Sequence, residues 1–207
     1  WELIGALLRH QPFRDAFEQR PDLTLTLHVT GPVPIEHRDA MERVLESYEA
    51  VLDAVPPSIA PRLFLAFSAG WQTHPSVEGD VDIVDIYQLA DLVTLPSSTE
   101  GRGLPIPESS AAGVPLICTE YEPLAVFEEV IGVGLPPEQG ILYDRFPSGD
   151  FTTELLDSIT TALLEPKRIE HRLAHNRSAV RERFSFEALV RSFEEIFDHL
   201  DSATGGR

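Results

Sequence analysis

Apolar residues recur along this 207-residue chain in two rhythms, one near 3.6 residues and one of period two or unbroken. Trp1, Leu3, Ile4, Leu7 and Leu8 fall at helical spacing, so the chain opens inside a helix with no capping residue ahead of it. Residues 23–29, Leu-Thr-Leu-Thr-Leu-His-Val, alternate and predict a strand with one less apolar face, as at a sheet edge or beside a cleft. His28 in this run reads as a packed strand histidine before a catalytic one. Thr30-Gly31-Pro32 ends the run. Over 36–55 a long amphipathic helix is expected, with Met41, Val44, Leu45, Tyr48, Val51, Leu52 and Val55 on one stripe and its acids facing solvent. Residues 63–67 are wholly apolar and predict a central strand. A loop over 68–82 carries Trp71, His74 and Pro75, and a helix over 81–90 follows with Asp80 or Asp82 as its cap.

The densest chemistry lies at 91–119. Residues 92–95 predict a short buried strand that stops at Pro96. The 97–103 stretch is loop chemistry, in which Gly101 and Gly103 let backbone approach a ligand. Pro105 and Pro107 fit the first turn of a helix, where no amide donor is needed. Gly113 and Pro115 end that helix, and 116–119 form the next strand. A helix start fed by a glycine loop gathers free amides under the positive end of the macrodipole, which suits an anion. Two carboxylates flank it, Glu100 in the loop and Glu108 in the first turn. Phosphate repels a carboxylate, so their partners would be hydroxyl groups farther along the ligand, which carboxylates accept in pairs from diols. Amides for phosphates and carboxylates for two sets of hydroxyls describe a nucleotide sugar. Spacing alone also allows a plainer reading, in which Glu108 complements the helix dipole and Glu100 is solvated.

The segment Glu100-Gly-Arg-Gly-Leu-Pro-Ile-Pro-Glu108, followed by Ser-Ser-Ala-Ala-Gly-Val-Pro, resembles the Glu-x7-Glu segment of the retaining family-4 (group 1) glycosyltransferases of GT-B fold. The preceding Tyr87-Gln-Leu-Ala-Asp-Leu-Val-Thr-Leu-Pro-Ser resembles the lead-in of the same family. The resemblance covers most of the chain, more weakly outside this segment. It implies the C-terminal, donor-binding half of a hexosyltransferase that takes a nucleotide-diphosphate sugar and needs no cofactor or metal. On the resemblance, Glu108 binds the ribose diol and Glu100 is the catalytic carboxylate that holds hydroxyls of the donor sugar. The amides of Gly103 and Leu104, with Gly101, would stabilise the leaving diphosphate, and Ser98 and Arg102 complete the donor-binding set.

The sequence also departs from the family. Arg102 stands where many members carry an aromatic, and either supplies phosphate charge or points to solvent. Tyr121, Glu122 and Pro123 replace a Gly-Gly pair. Glu128 or Glu129 corresponds to a family glutamate on the following helix, or is surface charge. The strand and Arg/Lys pair that the family places before the first helix are not seen. The expectation is therefore a fragment that transfers no sugar by itself, with a sugar or glycolipid acceptor held by a further N-terminal domain. Trp71 would stack on the nucleotide base or plug the core.

Charge and composition narrow the classes. A formal charge of −18 argues against nucleic-acid and anionic-membrane partners, whose binding is driven by basic surface. Cys118 is the single cysteine, which rules out an intrachain disulfide and points to a reducing, cytoplasmic setting. No run approaches the roughly 18 apolar residues of a membrane span, and no His/Cys/Asp cluster has metal-ligand spacing.

After a short strand at 140–143, three helices are expected over 150–164, 166–183 and 185–200. The last carries Phe186, Leu189, Val190, Phe193, Ile196, Phe197 and Leu200 on one stripe. On the resemblance it crosses to the other domain; alternatively it covers its own sheet, and an exposed stripe would favour self-association. Alternating strands and helices predict an α/β, doubly wound parallel sheet, Rossmann-like, with ligands at the C-terminal strand ends. The expected organisation is a nucleotide-sugar-binding domain over 1–183, a crossover helix over 184–200 and a frayed tail over 201–207. Two other functions share the pocket: a nucleotide-binding regulatory domain without turnover, and a nucleotide-sugar epimerase. A pyridoxal-dependent phosphorylase is disfavoured, because Lys167 is a poor Schiff-base candidate.

Overall fold

The apolar repeat at the start of the chain folds as α1 (Glu2–Arg9), which buries Ala6, Leu7 and Leu8. The structure is a computed structural model that describes residues 1–30, 38–67 and 82–204. A second helix, α2 (Gln11–Gln19), follows at once and was not foreseen. Its signals are sparse: Pro12 in the first turn, then Phe13 and Phe17 one turn apart, each 1% exposed. Two anchors among polar residues are too few to register as a period, yet their rings stack at 5.8 Å in the core.

These helices belong to the first of two compact units, Trp1–Leu89 with Ser148–Glu165. Here β1 (Leu25–Val29) and β2 (Leu63–Phe67) pair in parallel, Leu25 opposite Leu63, on either side of α3 (Arg38–Ala54) in the chain. Arg62 ties the unit together. Its Nε donates to the Leu23 carbonyl at 2.8 Å and its Nη2 to the carbonyls of Phe17 and Arg20, both at 2.7 Å. The guanidinium also lies 3.7 Å from the centre of the Phe17 ring. A planar fork over an aromatic face is a role lysine could not fill.

The expectation that β2 is central is not met among the described residues, where β1 is its ladder neighbour and Phe64 is 46% exposed. An apolar run reports side-chain preference and does not count hydrogen-bonded edges. Asp82 caps α4 (Ile83–Leu89), as expected. The Asp85 amide donates to Asp82 Oδ1 at 3.0 Å and the Asp82 amide returns to Asp85 Oδ2 at 3.1 Å, a capping box closed by aspartate. The unit is completed by α7 (Thr153–Leu164), which starts at the Thr152 cap, packs on α1 and α2, and buries Leu156, Ile159 and Ala162.

The second unit comprises Ala90–Pro147 and Pro166–Arg207. Its sheet runs β3 (Val93–Leu95), β4 (Leu116–Cys118), β5 (Asp144–Arg145), all parallel. The last strand therefore falls after 140–143, where the sequence had placed it. That earlier stretch is held by a side chain instead of a ladder. Asn176 accepts from the Leu142 amide and donates to the Leu142 carbonyl, both at 2.8 Å, and is itself 1% exposed. A buried amide thus completes the backbone pairing that a neighbouring strand would have supplied.

Helices α5 (Pro105–Ala112), α6 (Leu124–Ile131) and α8 (Glu170–Phe184) flank this sheet, and α9 (Phe186–Thr204) packs on α8. Leu95, Ile106, Leu116, Tyr121, Phe127 and Val180 form part of one core among them. The stripe on α9 stays exposed, with Phe186 at 74% and Phe197 at 61%, so it does not cover the unit's own sheet. Parallel sheets with flanking helices are the α/β, Rossmann-like arrangement expected of half a GT-B fold.

Candidate functional site

The glycine loop leaves the C-terminal end of β3, where open parallel sheets hold ligands. Two neighbours fix its path. The Thr119 amide donates to the Leu95 carbonyl at 3.0 Å, and its hydroxyl bonds to the carbonyls of Leu95 and Ser97. Farther out, the Glu122 amide donates to the Ser98 carbonyl and the Glu100 amide to the Glu122 carbonyl, both at 3.0 Å. The loop therefore runs as a short parallel extension of the sheet, bridged at Thr99 and Glu122. Glu122 also starts the next helix, its Oε2 accepting from the Leu124 amide at 2.9 Å.

The residues that replace the family's glycine pair thus have a structural task. Tyr121 is fully buried and its ring meets Phe127 edge-on at 5.2 Å. Its hydroxyl lies beneath Gly103, 3.5 Å from the Arg102 carbonyl. Gly103 has a φ of +60°, and a Cβ there would sit 2.1 Å from the Tyr121 hydroxyl. Glycine is thus required at 103 by the tyrosine below it and by the left-handed backbone. At Gly101 a Cβ would meet nothing within 4 Å.

The helix start follows as expected. Pro105 and Pro107 lie in the first turn of α5, the Ile106 amide returns to the Gly103 carbonyl and the Glu108 amide to the Leu104 carbonyl, both at 3.0 Å. The first turn therefore spends these donors on its own backbone. Glu108 stands half-buried in this turn, Glu100 is half-buried in the loop, and Ser98 and Leu104 are exposed. Arg102 is exposed and ion-paired with Glu129 on α6, Nη1 to Oε1 at 3.3 Å, a partner that neither expectation for this arginine had named. Trp71 lies outside the described residues. Among the described residues, no group of three His, Cys, Asp or Glu side chains is arranged to hold a metal, and no helix is long and apolar enough to cross a membrane.

Electrostatics gather around the buried tyrosine. Burial, then the negative charge of Glu100, pushes the Tyr121 phenol up to about 12, against a contribution from Arg102. Burial and Glu120 do the same to Tyr143, and burial then Glu120 to the Cys118 thiol, each to about 12. All three are acids held neutral by the fold. The native state therefore binds more protons than the unfolded chain between their ordinary values, 9.0 and 10.0, and about 12. Their stabilising contribution is complete below about pH 9 and is lost as the pH rises towards about 12. The thermal midpoint should fall through that window, with phenolate absorbance appearing on unfolding. A midpoint that stays level from about pH 9 to about pH 12 contradicts this assignment.

The sequence profile described as glycosyl transferases group 1 matches residues 13–164. The chain is 30% identical over 142 residues to O-antigen chain mannosyltransferase B of Escherichia coli, covering 69% of this chain and 34% of that protein. It is 26% identical over 131 residues to D-inositol 3-phosphate glycosyltransferase of Saccharomonospora viridis, covering 62% and 27%. The chain thus spans about a third or less of these curated relatives. Among solved structures, it is similar to the pneumococcal O-GlcNAc transferase GtfA in complex with UDP and GlcNAc, at a TM-score of 0.48 and 16% identity over 96% of this chain and 32% of that one. A likeness to the glycotransferase of kitacinnamycin has a TM-score of 0.40 at 15% identity, over 83% and 43% of the two chains.

Proposed function

We propose a donor-binding role for this chain, which belongs to the glycosyl transferases group 1 family. Segment 98–108 holds a nucleotide-diphosphate sugar for a retaining glycosyl transfer. The observation that carries the reading is the loop–helix junction at the end of β3, where a left-handed Gly103 turns the backbone between two half-buried carboxylates, Glu100 and Glu108.

Each group has one task. Glu108 accepts hydrogen bonds from the ribose diol, and Glu100 accepts from hydroxyls of the donor sugar and orients its reacting carbon. The amides of Gly101, Gly103 and Leu104, with the Ser98 hydroxyl, meet the diphosphate. Negative charge grows there as the glycosidic bond breaks, so fixed donors stabilise the departing group more than the bound one. Arg102 adds the local positive charge, and no metal is called for. Trp71 is assigned to the base. The acceptor, a sugar or glycolipid, is assigned to part of the protein beyond these residues, and the relatives' greater length supports that. The exposed α9 face is assigned to self-association, and the single buried cysteine fits a cytoplasmic setting.

Calorimetric titration of the protein with UDP, GDP and ADP, each beside its nucleoside, tests the reading. One diphosphate should bind at least about tenfold more tightly than its nucleoside, the worth of one charge-assisted contact. Equal affinity for the pair, or no binding by any of the three, would sink the proposal.

A further inference from the structure

Resting on the donor-binding reading, we infer that Glu129 competes with the donor for Arg102. It holds the loop's cation when no donor is bound and releases it to an arriving diphosphate, and so sets how far the site prefers a diphosphate to a nucleoside.

The contact is built to open. Arg102 Nη1 donates to Glu129 Oε1 at 3.3 Å, longer than the roughly 2.7–2.9 Å of a tight charge-assisted bond. Both side chains are well exposed, at 64% and 63%. Water competes for such a pair, and its loss costs little. A diphosphate offers the guanidinium more charge and more acceptor oxygens than one carboxylate does.

The backbone at both ends is fixed, so the exchange involves side chains alone. The Glu129 carbonyl accepts from Arg183 Nη2 at 2.5 Å, and Arg183 Nη1 donates to the Gln139 carbonyl at 3.0 Å. Arg183 thus pins the end of α6 from α8. On the other side Gly103 rests on the Tyr121 ring, which anchors the loop that carries Arg102. Glu100, Arg102 and Glu129 all act on the Tyr121 phenol, so the three charges share one neighbourhood. Glu100 and Glu129 together offset the arginine's charge and oppose an arriving anion, so the site's pull on a diphosphate depends on how readily Glu129 gives the arginine up. The arginine stays beside the loop, in reach of the phosphate site, without leaving a bare positive charge.

The test uses inorganic pyrophosphate, which needs no knowledge of the base, alongside UDP, GDP and ADP. Glu129→Gln should tighten pyrophosphate binding roughly two- to fivefold. Glu128→Gln, an exposed neighbour on the same helix, reports the general effect of removing one negative charge and should give less. Arg102→Gln should weaken binding about tenfold. In the Arg102→Gln background, Glu129→Gln should gain no more than Glu128→Gln does. An equal gain from Glu129→Gln in both backgrounds shows a field effect and overturns the inference, as does a protein that does not bind pyrophosphate. Pyrophosphate coupling without any added affinity for a nucleotide supports the latch while removing the donor reading. Nucleotide binding that ignores Glu129 removes the latch alone.

Discussion

Gly103→Ala is expected to destabilise the protein by about 2–5 kcal/mol and to remove most of its affinity for a diphosphate. Two costs add. A non-glycine residue at a φ of +60° pays about 1–2 kcal/mol for its left-handed backbone. The new methyl would also stand 2.1 Å from the Tyr121 hydroxyl and 2.6 Å from the ring carbon bearing it. Overpacking of a filled core costs roughly 1–3 kcal/mol. The ring cannot retreat, because Tyr121 is fully buried against Phe127, which in turn meets Tyr143 edge-on at 5.6 Å. The loop must lift instead, and it carries the amides assigned to the phosphates. Urea denaturation and diphosphate titration measure the two losses separately. Adding Tyr121→Leu removes the ring tip, so the double variant should recover diphosphate affinity relative to Gly103→Ala while keeping the backbone penalty. A Gly103→Ala protein with native stability and affinity would show that the tyrosine does not support the loop.

The site was legible in the sequence to the extent that it is local. Pro105, Pro107, Gly113 and Pro115 bracket α5 by backbone chemistry that needs no tertiary partner, and the helix falls at Pro105–Ala112 between them. Asp82 as the α4 cap is local in the same sense. What could not be read depends on contacts far along the chain. Glu129 lies 27 residues from Arg102, and nothing in either neighbourhood joins them. Tyr121 stood out only as a departure from a glycine pair; its burial beneath Gly103 comes from the pairing of β3 with β4, which brings the two following loops side by side. The 140–143 stretch has a strand's composition, but its backbone partner is Asn176, 34 residues later. In α2 the pattern was present and too thin, since two phenylalanines in nine residues do not make a period.

Glu108→Gln is expected to lower affinity for the donor nucleotide by about one to two orders of magnitude. The carboxylate is assigned hydrogen bonds from both ribose hydroxyls. The amide keeps one oxygen acceptor, loses the charge and turns its other end into a donor facing a donor. Hydrogen bonds to charged groups are worth roughly 1.5–3 kcal/mol, and each 1.4 kcal/mol is about a tenfold change. The alternative role, complementing the α5 dipole from the first turn, predicts a different result: a loss of about 0.3–1 kcal/mol in stability and none in binding.

Calorimetric titration of wild-type protein and Glu108→Gln with the preferred nucleoside diphosphate and its 2′-deoxy form therefore tests the donor-binding account at its centre. If Glu108 holds the ribose, each change alone weakens binding strongly, and the second change adds much less once the first is made, because both remove the same interaction. If the two losses add independently, Glu108 does not hold the ribose and the account is contradicted.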